Sequence, residues 1–369
     1  VLFARSFFLS FTLSGVTYDK GLCVLKDLRL RYSLKLLILL LILPHTFTGQ
    51  SGCRAQVCQA SSAVDAEDVV RVRTDEVVVP VSVRDERGAP VNGLTGDQFL
   101  IYENGVRQEI RSFNRRRVPA NIVLLLDASG SVFGEMSLIR EAAKSFVKNL
   151  LEGDQVSVMQ FSDRVELLQD WVAATDWKTI SKALDWRYHG GERTTFYEGL
   201  YRAARDQAGR VKGRRIIVLL TDGVDTAQGG GATFAEALEA VRGAEATVYV
   251  VSLTASLRRE LDGRVGGRFR AILSGISPGQ VARYRKIIDE AEKHLIEIAE
   301  RTGGRIFFPH ETADLIPAYV AIAEELRTQY ILTYVPKKSL SGGEWRELKV
   351  LVLPGGYEIG TRAGFRVSR

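Results

Sequence analysis

Two uninterrupted apolar runs, Ile122-Val123-Leu124-Leu125-Leu126 and Ile216-Ile217-Val218-Leu219-Leu220, constrain the fold more than any other feature of the chain. A strand without a polar face must be covered on both sides, as in a parallel sheet with helices packed on each face. Each run ends in oxygen-bearing residues, Asp127-Ala128-Ser129-Gly130-Ser131 after the first and Thr221-Asp222-Gly223 after the second. Ligands of open α/β sheets bind outside the carboxyl ends of the strands, so these oxygens are expected to meet at one edge. Hydroxyls and carboxylates gathered there suit a hard cation.

Strand and helix patterns alternate from Asn121 onward, the signature of a parallel sheet covered by helices. Strands are predicted at Ile122–Leu126, Gln155–Phe161, Val165–Leu168, Ile216–Leu220, Thr247–Leu253 and Arg305–Phe308. Helices are predicted near Met136–Leu150, Trp177–Leu184, Phe196–Gly209, Phe234–Ala244, Lys286–Thr302 and Thr312–Leu326. Residues 118–328 are thus expected to form one α/β domain with a doubly wound, mostly parallel sheet. Before it, residues 75–117 carry strand patterns at Glu76–Arg84, Phe99–Tyr102 and Arg107–Phe113. After it, residues 329–369 carry them at Tyr330–Val335, Glu347–Leu353, Tyr357–Arg362 and Gly364–Val367. Neither flank has enough strands to bury both of its faces, so the two are expected to pair into one small β-sandwich with the α/β domain inserted between them.

Residues 1–60 read as a leader and residues 61–74 as a polar linker. Lys26, Arg29, Arg31 and Lys35 precede the apolar run Leu36–Leu43, and small polar residues follow, the order of a secretory signal. The run is short for a bilayer span. The chain starts at Val1 and its first methionine is Met136, so residues 1–25 are read as an upstream extension. A secreted, periplasmic or cell-envelope location is expected, with membrane association only through a lipid on Cys53. Of the net charge of +6, the leader holds nearly all, with seven Lys and Arg against Asp19 and Asp27. The remainder is close to neutral, which argues against a nucleic-acid partner. All three cysteines, Cys23, Cys53 and Cys58, also lie in the leader, so the folded part is expected to carry no disulfide.

Asp127-x-Ser129-x-Ser131, Thr194 within Gly190-Gly191-Glu192-Arg193-Thr194-Thr195-Phe196, and Asp222 within Leu219-Leu220-Thr221-Asp222-Gly223 together resemble the von Willebrand factor A domain and its metal-ion-dependent adhesion site. Further stretches, among them Val81–Asp85, Glu103-Asn104-Gly105, Thr302–Arg305 and Ala363-Gly364-Phe365, resemble a bacterial, acidobacterial-type branch of that family. The resemblance implies a metal bound through Ser129, Ser131 and Thr194, with Asp127 and Asp222 acting directly or through water. Mg²⁺ is the expected ion, with Mn²⁺ or Ca²⁺ as substitutes, because neutral hydroxyls leave the ion electrophilic enough to accept a partner's carboxylate. Thr194 is preferred over Thr195 because it stands six residues before Leu200. Glu192-Arg193 interrupts the family's usual Gly-Gly-Thr.

Other motifs point elsewhere and fail on their chemistry. Gly275-Ile276-Ser277-Pro278-Gly279 matches a serine-hydrolase elbow, but Pro278 has no N–H for the oxyanion, so the stretch reads as a turn. The four histidines show no zinc spacing, and His189 reads as a solvated loop residue near Thr194. The insert Ser256–Lys286 is rich in Arg and Lys, Arg268 and Arg270 among them. It is weighed as a basic rim for acidic partners or an acidic envelope polymer, and as a plain solvated insert. The resulting expectation is a non-enzymatic module that uses the metal to bind an exposed Asp or Glu of a protein partner. The alternatives are a metal-independent assembly module with a vestigial site and, last, a hydrolase.

Overall fold

A computed structural model describes residues 76–115, 118–227, 230–261, 277–338 and 342–367. The leader, the linker, Arg264, Arg268 and Arg270 lie outside the described residues. At the centre is a six-stranded sheet formed by β5 (Ala120–Asp127), β6 (Gln155–Phe161), β7 (Val165–Ala173), β8 (Arg214–Thr221), β9 (Thr247–Ser252) and β10 (Ile306–Phe307). Its order is β10-β9-β8-β5-β6-β7, and every neighbouring pair is parallel except β6 with the edge strand β7. The apolar runs form β5 and β8, which are adjacent, with Ile122 opposite Ile216 and Leu126 opposite Leu220.

Helices cover both faces, as the absence of a polar side on these strands requires. On one face α1 (Met136–Lys148), α2 (Trp177–Arg187) and α7 (Leu315–Arg327) bury Ile139, Phe146, Leu184, Tyr319 and Ile322 against Leu124 and Leu126. On the other, α3 (Phe196–Arg202), α4 (Phe234–Gly243) and α6 (Pro278–Thr302) bury Leu200, Val241, Leu295 and Ile298 against Leu125 and Leu219. Each fully buried side chain of this size contributes about 1.5–3 kcal/mol from removal of apolar surface. A short helix, α5 (Thr254–Leu261), follows β9 directly.

The flanking segments make two four-stranded antiparallel sheets, and each sheet mixes strands from both ends of the described chain. One has the order β13-β1-β11-β4 and the other β14-β12-β2-β3. Their strands are β1 (Val77–Arg84), β2 (Phe99–Glu103), β3 (Val106–Gln108), β4 (Ile110–Asn114), β11 (Tyr330–Tyr334), β12 (Trp345–Val352), β13 (Glu358–Gly360) and β14 (Gly364–Arg366). Val79 pairs with Leu332 and Ile101 with Val350, so neither flank could assemble alone. Val81, Phe99, Tyr330 and Val350 share one buried cluster, and β12 alternates buried and exposed residues as a half-covered strand should. The single strand expected over Arg107–Phe113 is two strands: β3 pairs with β2, whereas β4 pairs with β11 in the other sheet.

Two other boundaries also differ from expectation. Helix α6 begins at Pro278 rather than Lys286, because Ser277 is its N-cap: Ser277 Oγ accepts from Gln280 N–H and the Gln280 side chain accepts from Ser277 N–H. Pro278 at the first helical position supports the same start. The helix expected over Phe196–Gly209 is α-helical only to Arg202 and continues as a π turn and a 3₁₀ turn to Arg210. The C-terminus of α6 is closed by Gly303 at φ +75°, and a Cβ there would stand 2.1 Å from the backbone carbon of Thr361. Only glycine therefore lets this corner approach the C-terminal β segment.

The inserted domain is joined to the sandwich at its sheet's amino edge. Arg214 Nη1, at the first residue of β8, donates to the carbonyl of Leu326 at 2.8 Å and to that of Val118 at 3.4 Å. Nearby, a buried cluster ties β1 to α7: Arg84 Nη1 donates to Glu325 Oε1 at 2.6 Å, and the Tyr249 hydroxyl donates to the same oxygen at 3.1 Å. A second buried pair, Arg346 Nη1 to Glu103 Oε1 at 2.9 Å, lies within the sandwich, where Tyr334 also donates to Glu103.

Candidate functional site

Strand β5 ends on Asp127, which is completely buried, because β6 and β8 flank it on either side. Asp127 Oδ1 accepts from Ser129 N–H at 2.9 Å, folding the chain into the tight turn that precedes a 3₁₀ turn at Gly130–Val132. Asp127 Oδ2 accepts from the Thr221 hydroxyl at 2.7 Å, so the ends of β5 and β8 are tied side chain to side chain. Ser129 Oγ lies 3.0 Å from Ser131 Oγ. Asp222, also buried, accepts from Val224 N–H at 2.9 Å and from the Ser131 side chain. One network thus brings together Asp127, Ser129, Ser131 and Asp222, from segments nearly a hundred residues apart.

Thr194 lies on the loop between α2 and α3 and shares a cavity lining with Ser131 and Asp222 of this network. Gly191 N–H donates to the Ala128 carbonyl at 2.8 Å, and a Cβ on Gly191 would stand 2.5 Å from Asp163 Oδ2, so glycine is required for the loop to lie against the end of β5. The two residues that interrupt the usual spacing are held in place: the carboxylate of Asp163 accepts from the N–H groups of Glu192 at 3.1 Å and Arg193 at 3.0 Å. These backbone hydrogen bonds hold the Asp163 carboxyl below its ordinary range. Thr194 N–H then donates to Thr226 Oγ1 at 2.8 Å, and Thr226 N–H returns a bond to the Thr194 carbonyl at 2.9 Å. Thr194 is buried and lines a cavity of about 270 Å³ together with Ser131, Asp222, Glu192 and Thr226. Thr195, by contrast, is the N-cap residue of α3.

The electrostatics of the site are strained in one direction. Burial raises the carboxyl of Asp127 well above the usual carboxylate range, and the neighbouring charge of Asp222 raises it further. Burial raises Asp222 as well. The hydrogen bonds from Ser129, Ser131 and Thr221 oppose both shifts without cancelling them. Burial and the charge of Asp127 likewise raise the Tyr188 hydroxyl, which donates to the Asp127 carbonyl at 2.5 Å. Two buried carboxylates that repel each other, with hydroxyl oxygens around them and a cavity at one side, form a donor set that a small divalent cation would relieve. Among the described residues no three His, Cys, Asp or Glu side chains form a metal-holding group, so any ion here would depend on the serine and threonine oxygens.

Several other sequence expectations can be located. His189 stands with Nε2 3.4 Å from Glu166 Oε2 and Nδ1 2.6 Å from the Arg187 carbonyl, and is not among the cavity residues. Ser277 is an exposed helix cap. Within the insert, Arg258 is engaged by Asp289 and Glu292, each at 2.7 Å, and Arg259 lies 3.9 Å from Glu311. Arg258 and Arg259 are therefore engaged in internal ion pairs. Sequence reasoning did not single out Thr221, Tyr188 and Thr226 as partners of the site. It also missed the apolar cavity wall, which comes from α5 and α6. For Thr221 the signal was present in its place directly before Asp222 at a strand end. Among the described residues no helix is long and apolar enough to cross a membrane.

Residues 121–265 match the sequence profile of the von Willebrand factor type A domain. The uncharacterized protein sll0103 of Synechocystis sp. (strain ATCC 27184 / PCC 6803 / Kazusa) is 34% identical over 111 residues, which cover 29% of this chain and 26% of that protein. The chain thus spans about a quarter of the curated relative's length. Among solved structures, a von Willebrand factor type A protein from Catenulispora acidiphila is similar at 13% identity, with 80% of this chain and 74% of that chain covered and a TM-score of 0.43. Proximal thread matrix protein 1 from the mussel byssus, solved with a zinc-occupied MIDAS motif, is similar at 17% identity over 62% of this chain and 50% of its own, also with a TM-score of 0.43.

Proposed function

From the presence of a von Willebrand factor type A domain, carried between two small β-sheets, we propose that this chain is a non-enzymatic protein-binding module whose site takes a divalent cation and captures a carboxylate of its partner. The observation that carries the reading is the pair of buried, mutually repelling carboxylates, Asp127 and Asp222, tied into one network with the hydroxyls of Ser129, Ser131 and Thr221, with Asp222, Ser131 and Thr194 lining a cavity beside them. Ser129, Ser131 and Thr194 would supply neutral oxygens, and Asp127 and Asp222 would supply charge. Mg²⁺ bound there would supply an electrophilic centre that an Asp or Glu of the partner can join. Thr221 and the backbone N–H of Ser129 orient Asp127, and Val224 N–H orients Asp222, so the oxygens are positioned before any ligand arrives. The order of basic, apolar and small residues in the leader supports export to the envelope or beyond.

Thermal unfolding with and without Mg²⁺ tests the reading. An ion that binds only the folded state stabilises it by about 2.7 kcal/mol at a hundred times its dissociation constant. Asp127→Ala removes a buried charge and is expected to abolish that response while leaving the protein folded. A wild-type protein whose melting temperature ignores Mg²⁺, Mn²⁺ and Ca²⁺ would sink the proposal.

A further inference from the structure

The cavity that holds Ser131, Thr194 and Asp222 on one side is apolar on the other. Leu257 and Leu261, one turn apart on α5, face Tyr284, Ile287 and Ile288 of α6 across it. Tyr284 and Ile287 remain 47% and 37% exposed, large apolar side chains left in reach of solvent beside a set of oxygen donors. The wall is braced from behind: Arg258 bridges Asp289 and Glu292, and the Thr254 hydroxyl donates to Glu292 at 2.7 Å. Arg258 is thereby spent on Asp289 and Glu292, and the wall that α5 and α6 turn to the cavity consists of Leu257, Leu261, Tyr284, Ile287 and Ile288.

We infer that the partner motif is bipartite: an acidic side chain for the oxygen site and, next to it in the peptide, one bulky aliphatic or aromatic side chain that packs against Leu257, Leu261 and Ile287. This inference rests on the carboxylate reading above and adds the specificity element to it. The volume of about 270 Å³ suits one such side chain beside a carboxylate. Continuity of the two halves in one cavity requires the two groups to be neighbours in the ligand. A uniformly anionic polymer offers nothing to the apolar half, so a peptide is the occupant that matches both halves. The wall contributes selectivity by removing apolar ligand surface from water, and the oxygen site contributes the requirement for charge.

Titration calorimetry on the full chain in Mg²⁺ separates the two levels, using the peptides Ac-Gly-Asp-Phe-Gly-NH2, Ac-Gly-Phe-Asp-Gly-NH2, Ac-Gly-Asp-Ser-Gly-NH2 and Ac-Gly-Asn-Phe-Gly-NH2. One of the two peptides with adjacent Asp and Phe is expected to bind about tenfold more tightly than the Asp-Ser peptide. In a Leu257→Ser/Ile287→Ser variant that advantage should vanish while the Asp-Ser affinity persists, which also shows that the variant is folded. Equal affinities for all three acidic peptides, or an advantage that survives in the variant, would overturn the apolar subsite and leave the carboxylate reading standing. Binding of the Asn-Phe peptide as tight as that of Asp-Phe, or binding that survives chelation, would instead overturn the carboxylate reading. No binding by any peptide overturns both.

Discussion

Removing Arg84 should destabilise this protein at a buried contact between its sandwich and its α/β domain. Glu325 is 1% exposed, and its Oε1 receives Arg84 Nη1 at 2.6 Å and the Tyr249 hydroxyl at 3.1 Å. Its other oxygen has Arg305 Nη1 at 3.8 Å, an ion-pair distance but not a hydrogen bond. Arg84→Met keeps much of the side chain's volume and deletes the charge, so Glu325 would be left buried with one hydroxyl and one distant guanidinium. Unit charges about 4 Å apart attract by about 4 kcal/mol at an effective dielectric constant near 20, and breaking buried pairs costs about 3–5 kcal/mol. Arg305 recovers part of this, so a loss of about 3 kcal/mol is expected for Arg84→Met. Deleting both charges in Arg84→Met/Glu325→Leu should cost less than the single change, because no orphaned carboxylate remains. Urea unfolding followed by tryptophan fluorescence and circular dichroism measures each midpoint. A coupling energy in that double-mutant cycle below about 0.5 kcal/mol would refute the reasoning, since it would mean the two charges do not depend on each other.

Four further outcomes are expected. Thr194→Val should lose the Mg²⁺-dependent rise in melting temperature while Thr195→Val keeps it, and the reverse result would move the threonine register by one residue. In chelator, a carboxyl whose folded-state value is raised, as for Asp127 and Asp222, contributes stability that is complete below the unfolded value and disappears as pH rises through the folded one. The metal-free protein should therefore melt higher at pH 5 than at pH 8, and saturating Mg²⁺ should narrow that gap in calorimetric scans. Gly303→Ala forces a Cβ into the Thr361 backbone at a left-handed φ and should cost several kcal/mol, on the order of the largest single-site effects, by denaturant titration. Thr233→Ala removes the capping box at the start of α4, where Thr233 and Glu236 bond reciprocally, and should cost about 1 kcal/mol in the same assay.

The strands that carry the site were legible because burial on both faces leaves an unmistakable pattern, and because acidic and hydroxyl residues at the ends of β5 and β8 have few other reasons to be there. The sandwich around the inserted domain was legible from the shortage of strands on either flank. What escaped was whatever depends on a partner distant in sequence. Nothing local in Arg107–Phe113 tells that β3 and β4 join different sheets, since pairing with β2 and with β11 decides it. The start of α6 was readable in Ser277-Pro278 with Gln280, and its coincidence with a hydrolase-like pattern drew attention to the nucleophile question instead. The hydrophobic half of the cavity lies more than sixty residues beyond Thr194 along the chain, on helices whose other faces are buried or charged, so no periodicity within either helix could announce what it faces.

Arg214 holds the chain where it goes into the inserted domain and where it comes out, at the carbonyls of Val118 and Leu326. Both crossings thus sit at the opposite end of the strands from Asp127 and Asp222. The platform and the reading head are thereby set apart: loops around the oxygen cluster can lengthen, shorten or change chemistry at the strand ends remote from the two crossings. Such an arrangement lets one mounting serve many recognition surfaces, as long as Glu325, Tyr249 and Gly303 stay in place against the sandwich.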